Sequence, residues 1–146
     1  MKERPVIVSA CLVGIKSRYD GRSALNRTVI NRLKKGAFIP VCPEQMGGLP
    51  TPRPKSEIGM GNGMGVLEGK ASVMDAEGRD VTANFLRGAE AAARVARLSG
   101  AKKAILKEGS PSCGVSTVKS KGKKTRGMGV TTARLKKEGI EIEGVD

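Results

Sequence analysis

Cys11, Cys42 and Cys113 are the three thiols of a 146-residue chain that contains no histidine. Each stands where a short apolar stretch runs out into turn residues: Ser9-Ala10-Cys11, Val41-Cys42-Pro43-Glu44 and Ser110-Pro111-Ser112-Cys113-Gly114. An odd number of thiols cannot close a disulfide framework, and thiols at strand ends are open to a ligand at a sheet edge. Three soft thiolates converging on one point suit zinc or iron-sulfur chemistry. Structural zinc wants four ligands, usually with close pairs such as C-x-x-C, and neither condition is met. Two metal readings stay open. One is a three-cysteine zinc with water or Glu44 in the fourth place; the other is a [4Fe-4S] cluster on three thiolates, with one open iron site. Free cysteine is also among the most buried residue types, yet small core hydrophobes do not usually all fall in Pro- and Gly-rich turns.

Without histidine, proton transfer falls to a carboxylate, a lysine, a tyrosine or a metal-bound water. Glu44 is the leading candidate for catalytic acid and base, because Pro43 between it and Cys42 restricts where its carboxylate points. Ser9, Ser110 and Ser112 sit beside the cysteines, where hydroxyls bond cluster sulfurs or a substrate, or simply form turns. There is no G-x-S-x-G elbow and no Ser-His-Asp set to make any of them a hydrolase nucleophile. A Walker A sequence is also missing. Gly59-Met60-Gly61-Asn62-Gly63-Met64-Gly65 departs from G-x-G-x-x-G and reads as a flexible loop with no strand before it and no helix after it.

The elements that must position these residues follow from pattern. Pro5 to Ser9, Ala37 to Val41 and Lys103 to Lys107 read as buried strands, each running toward a cysteine, with a last strand over Gly139 to Ile142. Asn26 to Lys35 is helical in pattern and Gly36 stops it. A longer helix, capped by Thr82, carries Phe85, Leu86, Ala89, Ala93, Val95 and Ala96 to Ser99-Gly100. A further helix covers Val130 to Lys137. Pro43 to Gly65 reads as a long loop, and Val66 to Asp75 as a small strand or hairpin. Strands alternating with helices predict an α/β fold: a single-domain, three-layer sandwich over residues 1–146, Rossmann-like, with a mainly parallel sheet and helices on both faces. In such a sheet ligands bind at the carboxyl ends of the strands, and all three cysteines fall on that edge.

Composition narrows the function classes. Aromatic residues are Phe38, Phe85 and Tyr19 alone, so base stacking on aromatic platforms is not expected. The formal charge of +13, from 27 Lys and Arg against 14 Asp and Glu, would draw nucleotides or RNA. Much of the excess lies in Lys119, Lys121, Lys123, Lys124 and Arg126, read as a solvated basic loop. No stretch reads as a signal peptide or a membrane span, so a cytoplasmic protein with free thiols and no membrane partner is expected.

Several blocks resemble, in order, the family long labelled domain of unknown function 523, whose characterised type is an iron-sulfur thiouracil desulfidase. They are Ser9-Ala10-Cys11-Leu12-Val13-Gly14, Arg18-Tyr19-Asp20-Gly21, Pro40-Val41-Cys42-Pro43-Glu44, Gly48-Leu49-Pro50-Thr51-Pro52-Arg53, Gly78-Arg79-Asp80-Val81-Thr82, Lys107 to Gly114, and Gly127-Met128-Gly129-Val130-Thr131. The resemblance implies a [4Fe-4S] cluster on Cys11, Cys42 and Cys113 whose open iron takes the sulfur of a thiolated pyrimidine while water attacks the ring carbon. It also implies that Glu44 moves protons and that Ser110 positions the substrate or the water. The charge suggests a thiolated nucleobase carried as a nucleotide or within thiolated RNA. The competing reading is a basic RNA-binding or sulfur-trafficking module with a structural metal or cysteine site.

Overall fold

The computed structural model describes residues 3–146. In chain order the elements are β1 (Val6–Ser9), α1 (Arg27–Leu33), β2 (Phe38–Val41), α2 (Pro43–Met46), β3 (Ser56–Ile58), α3 (Gly63–Leu67), β4 (Val73–Asp75), α4 (Thr82–Ser99), β5 (Lys103–Lys107), β6 (Thr117–Ser120), β7 (Lys123–Arg126), α5 (Val130–Lys137) and β8 (Glu141–Val145). A short 3-10 turn covers Ala10–Val13. Four strands pair in the order β2-β1-β5-β8, every pair parallel.

Side chains alternate across a strand, and the core divides accordingly. Ile7, Ala104 and Leu106 face a layer that includes Ala93 and Ala96 of α4 and Leu135 of α5. Val8 and Ile105 face Val29 and Leu33 of α1. Helices therefore cover both faces, which is the three-layer sandwich expected from the pattern. Alanine at positions 89, 92, 93 and 96 gives α4 a smooth buried face, and small side chains let a helix lie close to its neighbours. Asn26 starts α1 by accepting from the Val29 amide at 3.0 Å, and Gly100 ends α4 at φ 74°.

The sequence reading fails in places with identifiable causes. Pro43 to Gly65 is not one long loop, for it holds α2, β3 and the start of α3. Nor is the glycine-rich stretch without neighbours: β3 precedes it, and the Asn62 carboxamide caps α3 by accepting from the Met64 and Gly65 amides at 3.0 and 3.2 Å. That cap and the packing of Val66 beside Ile58, Val73 and Phe85 outweigh the low helix propensity of glycine. Thr82 is the first residue of α4 rather than its cap; its hydroxyl instead accepts from the Val73 amide at 2.9 Å. The basic run is no open loop but the β6–β7 hairpin. Lys121 (φ 51°) and Gly122 (φ 75°) make its two-residue turn, and the Glu57 carboxylate accepts from both their amides at 2.9 and 2.8 Å. The last strand runs later, over Glu141–Val145. Among the described residues no helix is long and apolar enough to cross a membrane.

Candidate functional site

Parallel pairing puts the ends of β1, β2 and β5 side by side, and each leads into a cysteine segment. After β1 the chain folds into the 3-10 turn, where the Cys11 carbonyl accepts from the Gly14 and Ala24 amides at 3.3 and 2.9 Å. Cys42 directly follows β2 and is the N-cap residue of α2, with Pro43 at the first helical position. This single helical turn lies hard against α4: a Cβ at Gly88 would overlap the Pro43 carbonyl, and one at Gly47 the Asn84 carbonyl. Asn84 Nδ2 and Arg87 Nη1 of α4 each donate to the Gly47 carbonyl at 2.9 Å. Glycine at both positions is what lets α4 fix the Cys42-Pro43-Glu44 corner.

Cys113 does not follow its strand directly; it sits within the turn that succeeds β5. Two supports hold that turn. The Glu108 carboxylate accepts from the amides of Val115, Ser116 and Thr117 at 2.9, 3.0 and 3.1 Å. At the start of α5 the Val130 and Thr131 amides donate to the Pro111 and Ser112 carbonyls, both at 2.9 Å, and Thr132 Oγ1 donates to the Cys113 carbonyl at 3.0 Å. Amides at a helix N-terminus need acceptors from outside the helix, so α5 and the cysteine turn complete each other.

All seven residues singled out from sequence, Ser9, Cys11, Cys42, Glu44, Ser110, Ser112 and Cys113, line one cavity of about 240 Å³. None of the cysteines is in a disulfide. Burial pushes the Cys113 thiol up to about 12, with Cys11 and Cys42 adding to the rise and the Ser9 and Ser112 hydroxyls opposing it. Burial, followed by the neighbouring Cys42, also raises Cys11, against the pull of Lys107 and Arg18. Cys42 Sγ donates to the Ser17 carbonyl at 3.6 Å.

Glu44 is not a surface carboxylate, since its side chain is 14% exposed. Its Oε1 accepts from Arg53 Nε at 2.9 Å, while Oε2 faces Ser112 Oγ at 3.3 Å and Ser110 Oγ at 3.5 Å. Ser110 Oγ already accepts from the Ser112 and Cys113 amides, each at 3.1 Å, which leaves its proton for Ser112 Oγ or Glu44. Ser112 Oγ also lies 3.6 Å from Cys113 Sγ. Ser9 is buried, and its hydroxyl accepts from the Lys107 amide at 2.9 Å, fastening the ends of β1 and β5.

Sequence reasoning missed Arg53, Tyr19 and Lys107 in the same lining, with Arg18, Lys55, Lys119 and Lys124 beside them. Lys107 ends β5, so the strand-end rule that found the cysteines would have found it. Burial lowers its ammonium, and the Lys124 and Arg18 charges lower it further. Arg18 and Lys55 lie 5.8 and 5.2 Å from the Tyr19 ring centre. No pattern in the sequence marks Arg53 as buried; only the fold does.

The chemistry of the donor set fits an iron-sulfur cluster. Three free thiols spread around a cavity match the soft, multi-atom demand of an iron-sulfur cube.

A model of the 2-thiouracil desulfurase family matches residues 6–145. The chain belongs to that family. It is 39% identical over 140 residues to the uncharacterized protein YbbK of Bacillus subtilis (strain 168), covering 94% of this chain and 93% of the relative. Among solved structures it is similar to TudS, described as a [4Fe-4S]-dependent thiouracil desulfidase, with TM-score 0.83 and 39% identity over 97% of this chain and 91% of that one. The family match runs from β1 to β8, so the Gly47–Gly88 contact, the Glu108 brace and the three cysteine turns all lie within the 2-thiouracil desulfurase unit.

Proposed function

We propose that this protein is a [4Fe-4S]-dependent desulfidase that removes sulfur from a thiolated pyrimidine base or nucleotide. Water replaces the sulfur, so that the thiocarbonyl and one water give the oxo product and hydrogen sulfide. What carries the reading is the convergence of Cys11, Cys42 and Cys113 with Glu44 on one cavity, in a chain of the 2-thiouracil desulfurase family. The three thiolates would hold the cluster. When bound it would supply a soft Lewis acid suited to a thiocarbonyl sulfur.

The rest is work for the chain itself. Glu44 Oε2 takes a proton from the attacking water and returns one to the departing group. Ser110, fixed by two amides, offers its hydroxyl beside that oxygen and positions the water or the ring. Ser112 donates toward the Cys113 sulfur, and the Ser9 hydroxyl opposes the rise of the same thiol. Arg18, Lys55, Lys107, Lys119 and Lys124 line the cavity and favour a substrate that carries phosphate, either a nucleotide or thiolated RNA. Free thiols on this scale are in keeping with a reducing cytosol.

The test is anaerobic reconstitution with iron and sulfide, followed by incubation with 2-thiouracil and with a thionucleotide. Stoichiometric sulfide and oxo product from either supports the proposal. A fully loaded protein that releases no sulfide from any thiopyrimidine overturns it.

A further inference from the structure

Gly48-Leu49-Pro50-Thr51-Pro52-Arg53 is a sequence block to which the chemistry above gives no task, and its last residue is buried inside the site. The Arg53 side chain is 4% exposed. Nε donates to Glu44 Oε1 at 2.9 Å, Nη1 to Thr51 Oγ1 at 2.8 Å and to the Pro50 carbonyl at 3.2 Å, and Nη2 to the Ser17 carbonyl at 2.9 Å. The remaining direction of Nη2 points at Cys42 Sγ, 4.0 Å away. A guanidinium has five N–H groups in a fixed plane, and here each has a partner. The backbone is tied as well, because the Arg53 amide donates to the Tyr19 carbonyl at 2.8 Å.

We propose that Arg53 is a positioning residue: its planar fork fixes the rotation of the Glu44 carboxylate and locks it to the Ser17 segment behind Cys42. The role given to Glu44 rests on the desulfidase reading; the locking itself does not. A carboxylate turns easily about its last bond, whose torsion is broad and two-fold. With Oε1 held by Nε, only Oε2 is presented to Ser110, Ser112 and the cavity. The Ser17 carbonyl receives both Arg53 Nη2 and the Cys42 thiol, so one guanidinium sets the proton carrier and a cluster-bearing thiol in register. A lysine keeps the charge but offers a single ammonium, which cannot bridge Glu44, Thr51 and Ser17 in one plane.

The experiment uses Arg53→Met and Arg53→Lys, each alone and combined with Glu44→Gln. Crystal structures of the metal-free proteins come first and need no activity. In Arg53→Met the Glu44 carboxylate is expected to leave its contact with Ser112, and in Arg53→Lys to rotate. An unmoved carboxylate in both overturns the proposal, whatever the protein's substrate proves to be. In reconstituted protein, iron content per chain is expected to stay within twofold of wild type. There kcat should fall about 10- to 100-fold for both variants with KM within threefold. Added to Glu44→Gln, either change should cost less than twofold more. Equal losses in both backgrounds, or full kcat in Arg53→Lys, overturn it too. Should Arg53→Met fail to fold, Arg53→Lys carries every readout.

Discussion

At the residue scale, the two oxygens of Glu44 differ because their neighbours differ. One is pinned by a buried guanidinium and the other faces two hydroxyls and the cavity. Glu44→Gln keeps the shape while removing the exchangeable proton site. It should lower kcat for sulfide release by about 10²- to 10⁴-fold and leave iron loading unchanged, measured by single-turnover sulfide assay and iron analysis on the same sample. Ser110 accepts two backbone amides, so Ser110→Ala removes both an orienting hydroxyl and a turn partner. A loss of about 1–3 kcal/mol in unfolding free energy should accompany its loss of activity. Cys11, Cys42 and Glu44 were legible in the sequence because each stands close to a recognisable strand end, and Cys113 because the Pro- and Gly-rich turn that carries it follows one. Arg53 was not, because its partners, Ser17, Glu44 and Cys42, meet it only through tertiary structure.

At the element scale, the site depends on two braces. The Gly47–Gly88 approach lets α2 sit on α4. Gly88→Ala gains helix propensity but drives a methyl group into the Pro43 carbonyl. It should therefore destabilise the protein despite that propensity and shift Glu44 away from Ser112, as read by thermal unfolding and a crystal structure. The second brace is Glu108. Burial acts to raise its carboxyl, but hydrogen bonds from Ser116, Val115 and Thr117 outweigh this and hold it below its ordinary value. The folded state then binds fewer protons than the unfolded one, so the stabilisation is present above the ordinary carboxylate range and is lost as the pH falls through the lowered value. Glu108→Gln should flatten the acid limb of a plot of Tm against pH, as the pH falls through and below the ordinary carboxylate range, and loosen the turn that carries Cys113. The four strands of the parallel sheet, α1, α4 and α5 were readable from the sequence pattern. The β6–β7 hairpin was hidden because its turn uses Lys121 at positive φ, where asparagine or glycine is the usual signal. The Asn62 cap was hidden inside a glycine run that reads as flexible.

At the scale of the whole molecule, one parallel sheet brings together residues far apart in sequence and gives them a common edge. The net charge of +13 concentrates in part on that edge, where Lys107, Lys119 and Lys124 line the cavity. Screening acts on exposed charges over about 10 Å at 0.1 M salt. The KM for a thiolated nucleotide should therefore rise with salt, whereas that for the uncharged thiouracil base should stay flat; parallel curves would separate the basic lining from substrate choice.

The convergence of three thiols on one cavity is the claim on which the chemistry depends, and metal stoichiometry under strict anaerobiosis tests it most directly. Wild-type protein reconstituted with iron and sulfide should hold about four iron and four sulfide per chain, and Cys11→Ser, Cys42→Ser and Cys113→Ser should each lose most of that content while remaining folded. A single tightly bound metal, or full iron retention after any one of these three changes, would contradict it.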